Sequence, residues 1–286
     1  MLFNSYIFVF IFLPLVLMGW YVLNHYKKEV LAEYILILMS LWFYAYFNLS
    51  YLPIILISII CNYTIGKWLL KATNEKYRKY LLIIGIILNV GILFYYKYMG
   101  FFLQTVNMVF QTEFFIQNII LPLGISFFTF QQLSYIVDCY RKEVPKYLFR
   151  QYALFVTFFP QLIAGPIVLH SETVPQFSDK KKRLFRADNF SVGLMAFSTG
   201  MAKKIIIADS FGNIVNYGYA NIESLGSLNA LFVMILVLVG TLCCKNTNEK
   251  ILAFQPTVRN ALFCSLLLFY SIISFSGIST FLYFNF

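Results

Sequence analysis

The chain has 286 residues, of which 60% are hydrophobic and 12% charged, with a formal net charge of +10. A soluble domain carries about 25% charged residues, so a water-soluble globule is excluded: too much apolar surface would stay uncovered. The basic residues fall in short clusters between apolar runs, the pattern of loops beside a membrane, so nucleic acid is not an expected partner and membrane lipid is.

A span needs about 20 mostly apolar residues to cross roughly 30 Å of hydrocarbon. The first candidate covers residues 3–23. It has no basic residues before it and no small-residue cleavage site after it, so it reads as a span rather than a signal peptide. His25, Lys27 and Lys28 follow, which places the N-terminus outside. Residues 30–47 and 52–70 form the next two spans, joined by a short uncharged turn at 48–51. Lys71, Lys76, Arg78 and Lys79 mark an inside loop before a fourth span at 80–96. Tyr95, Tyr96 and Tyr98 around Lys97 resemble an interfacial anchor, and 99–115 reads as a separate interfacial helix. A fifth, more polar span at 119–140 ends in Arg141, Lys142, Lys146 and Arg150.

Alternation then fails. A crossing at 149–169 would put Lys180, Lys181, Lys182, Arg183 and Arg186 outside. That segment also carries Pro160, Gly165 and Pro166, which interrupt helical hydrogen bonding. Broken backbone at membrane depth is tolerated only inside protein or beside a wet cavity. A re-entrant or discontinuous element is therefore expected here. An amphipathic helix at 189–207 and apolar runs at 228–244 and 261–284 complete the chain. The fold class is all-α: a polytopic helical membrane protein with about 7–8 hydrophobic segments, one of them broken. The basic link at 245–259 sits on the wrong side for alternation. The five cysteines read as small hydrophobes, with no metal-ligand spacing and so no predicted metal site.

Two stretches are more polar than lipid-facing helices need. The first is LPLGISFFTFQQLSYIVD at 121–138, where Ser126, Gln131, Ser134, Tyr135 and Asp138 mostly share one helical face. Such a face either binds helices together or lines a cavity; Asp138 has the further option of pairing with Arg141. Gly124, Ile125 and Ser126 do not make a nucleophile elbow, because Phe128 stands where the second glycine belongs. The second stretch surrounds Gln161, set among breakers whose freed carbonyls could meet a polar ligand; a plain structural kink explains it equally. Ser126, Gln131, Ser134, Tyr135, Asp138 and Gln161 are thus the candidate tunnel or substrate-lining residues. Pro122, Gly124, Pro160, Gly165 and Pro166 are the candidate structural breakers.

Acyl transfer to a hydroxyl needs a base near neutral pH, and histidine is the usual one. His25 lies in a short loop and His170 in a polar loop after the broken segment, so neither is expected to be catalytic.

LPLGISFFTFQQLSYIVD followed by FPQLIAGPI at 159–167 resembles the membrane-bound O-acyltransferase superfamily, in its alginate O-acetyltransferase-like branch. The resemblance runs over about 1–234. It implies a helical bacterial inner-membrane enzyme, crossing several times, that acetylates an exported polysaccharide or cell-wall glycan. It implies an acetyl thioester as donor substrate with no bound cofactor, a polysaccharide acceptor, and a periplasmic or extracellular acetylation partner. It also implies an invariant tunnel histidine in a Trp-His context, preceded by a stretch similar to QIYFDFSGY. Neither stretch occurs in this chain, while 277–286 resembles the far C-terminus of full-length members. The expected organisation is residues 1–234 as the N-terminal part of the family domain, with 235–286 joined to it across an internal deletion. The deletion would explain the misplaced basic link, and little or no catalysis is expected. A transporter or channel, or a non-catalytic membrane scaffold, are the alternatives from other classes; no paired half-repeat supports the transporter.

Overall fold

Local chemistry marks where several helices start. Pro14 and Pro53 stand in the first turns of their helices, where a missing N–H costs nothing. The Asn74 side chain accepts hydrogen bonds from the N–H groups of Lys76 and Tyr77, and Thr257 accepts from Asn260, each capping a helix start. The computed structural model describes residues 1–115, 119–162, 165, 168–210, 212, 231, 235 and 257–274, and every element among them is a helix.

A π-turn at Phe8–Phe12 leads into α1 (Leu13–His25). There follow α2 (Glu29–Ala45), α3 (Leu52–Lys71) and α4 (Glu75–Leu93). A π-turn at Phe94–Tyr98 joins α4 to α5 (Met99–Phe110). Next come α6 (Ile125–Arg141), α7 (Phe149–Thr157), α8 (Phe159–Leu162), α9 (His170–Ser178) and α10 (Lys180–Arg183). Beyond them lie α11 (Ala187–Ala202), a π-turn at Lys203–Ala208, and α12 (Val258–Ile273).

Three helical runs among the described residues are long and apolar enough to cross a membrane: Phe8–His25, Leu49–Lys71 and Glu75–Phe110. The protein is a membrane protein on these grounds. One expectation changes here. Residues 99–110 are not a separate interfacial helix but continue α4 through the π-turn, in one run of 36 residues. Nothing at Phe94–Tyr98 breaks the ladder: no proline stands there, and one wider turn keeps the carbonyls satisfied. The predicted discontinuity at 149–169 is present. α7 has 9 residues, about 14 Å at 1.5 Å per residue, too short to cross, and Phe158 leaves helical geometry at ψ 108°. The apolar run at 228–244, the joint near 234–240 and the tail at 277–286 lie outside the described residues, but for Leu231 and Ile235.

The chain divides into two compact units. In the first, residues 12–184 with Met1, α6 lies against α3, α4 and α7, and α2 against α1 and α7. Close approach is possible because two glycines face α6. A Cβ on Gly66 of α3 would sit 2.5 Å from the Tyr135 ring, and one on Gly85 of α4 would sit 2.8 Å from Ile136. Small residues at such crossings are how membrane helices gain contact. In the second unit, residues 2–11 with 185–286, α11 packs on α12 and the Tyr6 hydroxyl donates to the Ile272 carbonyl at 3.1 Å.

Candidate functional site

The two polar stretches meet inside the first unit. Gly124, at φ +67°, turns the chain into α6, and Lys142, at φ 64°, ends it. Of the predicted face, Gln131 and Tyr135 are buried, while Ser126, Ser134 and Asp138 are half-buried. Gln161 is buried, and its amide Nε2 donates to the Phe155 carbonyl, one of the acceptors orphaned where α7 stops. Among the breakers, Pro122 is buried, Pro160 is exposed, and a Cβ on Gly165 would fall 2.6 Å from the Gln161 Cα. Pro166 lies outside the described residues.

Behind that face runs a polar chain between helices. Gln132 of α6 donates to the Ser58 hydroxyl of α3 at 3.0 Å, and the Tyr152 hydroxyl of α7 donates to Gln132 Oε1 at 3.3 Å. One turn along α3, Asn62 and Asn89 of α4 exchange amide hydrogen bonds at 2.6 and 3.2 Å. Each such bond contributes about 0.6 kcal/mol in a bilayer. Their larger effect is on register, since a slipped helix would strand these groups where no water can satisfy them.

His170 sits elsewhere than the sequence led one to expect. It is not in an open polar loop: it is 3% exposed and opens α9. Its ring lies edge-on to Tyr135 at 5.8 Å, Tyr147 at 5.6 Å and Phe155 at 6.2 Å. Its Nε2 is 2.9 Å from Asp138 Oδ2, and its Nδ1 is 3.1 Å from the Tyr147 hydroxyl. Asp138 therefore pairs across to α9 and not along its own helix to Arg141. With a carboxylate at Asp138 and a neutral imidazole, Nε2–H donates to Asp138 and Nδ1 accepts from the Tyr147 hydroxyl. Burial, then the nearby Cys139 and Asp138, push the Tyr147 phenol above its usual range, which keeps it a donor. His25 lies at the exposed end of α1, beside Tyr26.

This geometry defines what the trio can do. Asp138 orients the ring and Tyr147 closes it, so both ring nitrogens are occupied within the protein. A general base needs one nitrogen turned toward the hydroxyl it deprotonates. The arrangement fits a lock that pins the segment after the break onto the end of α6. His170→Ala should then lower stability by about 1–3 kcal/mol, the cost of leaving buried partners unsatisfied. Thermal unfolding of the purified protein measures it; an unchanged midpoint would rule the lock out.

A second buried cluster escaped sequence reading altogether. Glu33 of α2, 2% exposed, accepts from Arg183 of α10 at 2.5 Å and from Arg150 of α7 at 2.6 Å. Arg183, 5% exposed, also donates to the Phe177 carbonyl at 2.6 Å and lies over the Trp20 ring at 5.7 Å. The signal was there: an acidic side chain within an apolar run requires a partner.

Relatives of known naming share most of this chain. It is 39% identical over 256 residues to a peptidoglycan O-acetyltransferase of Helicobacter pylori, a match covering 80% of this chain and 49% of that protein. It is 33% identical over 226 residues to a probable alginate O-acetylase of Pseudomonas aeruginosa, covering 77% of this chain and 42% of that one. A probable alginate O-acetylase of Azotobacter vinelandii is 34% identical over 226 residues, with 77% and 44% covered. The chain thus spans about half the length of these relatives or less. No family model and no solved structure matches it. Over about four-fifths of its length the chain is a homologue of these proteins named for O-acetylation.

Proposed function

We propose that the chain is an O-acetyltransferase homologue acting on an exported polysaccharide or cell-wall glycan from the bacterial inner membrane, which it crosses several times. The identity of 39% to a peptidoglycan O-acetyltransferase across 256 residues carries this reading. An acetyl thioester serves as donor substrate, no cofactor is held, and a periplasmic or extracellular partner presents the acceptor glycan. Residues 1–234 correspond to the front of the family's membrane domain, and 235–286 follow an internal deletion. In this form the chain does not complete transfer alone. It contains no Trp-His pair, and the one buried histidine among the described residues is engaged at both nitrogens.

Two membrane preparations test the reading with acetyl thioester and glycan present. Membranes holding only this chain should transfer no more acetyl than membranes without it. A chimera in which residues 1–234 replace the matching part of the Helicobacter relative should transfer acetyl and lose it when the recipient's own catalytic half is removed. A folded but inactive chimera would overturn the assignment. Transfer by the chain alone, abolished by changing Asp138 or Gln161, would overturn its predicted inactivity.

A further inference from the structure

Beside the His170 lock lies a cleft of about 130 Å³, walled by Tyr63, Tyr135 and Tyr147 and rimmed by Lys67, Lys71 and Lys146. We propose that this cleft is a binding site for a single phosphate group carried on an organic ester.

The charges around the cleft are all of one sign. No carboxylate lines it, and none of the three lysines pairs with an acid among the described residues. The nearest acid on α6, Asp138, is engaged by His170. Lys67 and Lys71 stand four residues apart in the last turns of α3, where the helix dipole alone would favour them. Lys146 has no such reason. It comes from the loop before α7 and lines the same cleft. Three like charges from two elements line one cleft and favour an anion there, and a lysine binds phosphate as a point charge.

Size and wall chemistry narrow the ligand. Sites for whole small molecules run from about 300 to 1,000 Å³, so this cleft holds a phosphate and its neighbouring carbons but not a nucleotide. The Tyr63 hydroxyl donates to the Tyr147 carbonyl at 3.1 Å, and the Tyr147 hydroxyl bonds His170. With these two hydroxyls engaged, Tyr63 and Tyr147 offer the ligand carbon rather than donors, a wall suited to the carbon side of an ester. Both a phospholipid headgroup and a soluble phosphate ester satisfy this description. Binding of either is independent of acetyl transfer.

The test uses the full chain in phosphatidylcholine nanodiscs, with two probes: phosphatidylglycerol in the bilayer, and glycerol 3-phosphate in solution. Amine-reactive labelling read by mass spectrometry follows each lysine in the wild-type protein. One probe or the other should slow labelling of Lys67, Lys71 and Lys146 about fivefold or more relative to Lys76, Lys180 and Lys181, given the surface energy of a lysine near an anionic headgroup. Protection by phosphatidylglycerol alone assigns the headgroup; protection by glycerol 3-phosphate assigns the soluble ester. The K67Q/K71Q/K146Q variant should lose at least about tenfold in probe retention, and K76Q/K180Q/K181Q should not. Labelling unaffected by both probes, or slowed equally at all six lysines, would overturn the proposal. Labelling reads the wild type, so either result holds whether or not the variants fold.

Discussion

Replacing Glu33 by alanine should destabilise the protein by about 3–5 kcal/mol, the usual cost of removing one partner from a buried ion pair. The magnitude follows from what is left behind. Arg183 would keep a guanidinium 5% exposed, with the Phe177 carbonyl, Asn24, the Trp20 face and the more exposed Glu29 carboxylate at 3.6 Å around it. Arg150 is better placed to recover, since a quarter of its side chain already reaches the surface, so most of the loss belongs to Arg183. A chain of this size should show a fall of roughly 10 °C in melting temperature. Glu33→Gln keeps an acceptor and should cost less. The double variant E33L/R183M should recover much of the loss, because replacing both charges by apolar volume removes the desolvation cost with the pair. Melting of the purified protein decides the matter: E33A within about 1 °C of wild type would show that the cluster holds nothing together.

Gly124→Ala is the second large effect. At φ +67° an L-residue is disfavoured by about 1–2 kcal/mol. The added methyl would also fall well inside contact distance of the Leu162 carbonyl oxygen, and a backbone atom cannot rotate aside. Overpacking of this kind costs typically about 1–3 kcal/mol more. The contact joins the start of α6 to the end of α8, so the strain falls where the two polar stretches meet. Gly91→Ala is the matched control. Nothing lies within 4 Å of its Cβ position, and within α4 the change should be neutral or slightly stabilising. Equal folded yields and equal melting temperatures for the two variants would sink this account.

Much of the fold was legible because lipid imposes a simple length rule. The helices at Leu13–His25, Glu29–Ala45 and Leu52–Lys71 fall close to the apolar runs expected of them, and the break after Thr157 follows from Pro160, Gly165 and the basic run beyond. The extension of α4 into α5 was not legible, because Gln104, Thr105 and Asn107 suggested a change of environment while the backbone felt no interruption. In the site, periodicity placed Gln131 and Tyr135 on a buried face. It could not show which side chains from other helices would meet them. Gln132 was passed over although Ser58 and Tyr152 converge on it. His170 was misplaced because Ser171 and Glu172 beside it are exposed; the first turn of a short helix can point one side chain inward and its neighbours out. Arg183 was counted with the lysines around it, though it alone of that run is buried.

The uninterrupted run from Glu75 to Phe110 also acts as a ruler. Its 36 residues make a rod of about 54 Å at 1.5 Å per residue. Even tilted by about 40°, near the upper limit for such helices, that rod covers about 41 Å along the bilayer normal, well beyond a hydrocarbon slab of roughly 30 Å. Lys97 lies about 33 Å from Glu75 along it, at 1.5 Å per residue, so the two charged positions fit opposite edges of a bilayer of ordinary thickness. A thinner or thicker membrane would pull one of them into hydrocarbon or leave apolar turns in water, at a fraction of a kcal/mol for each ångström of mismatch. The lipid in which this protein is purified therefore sets how relaxed that helix is.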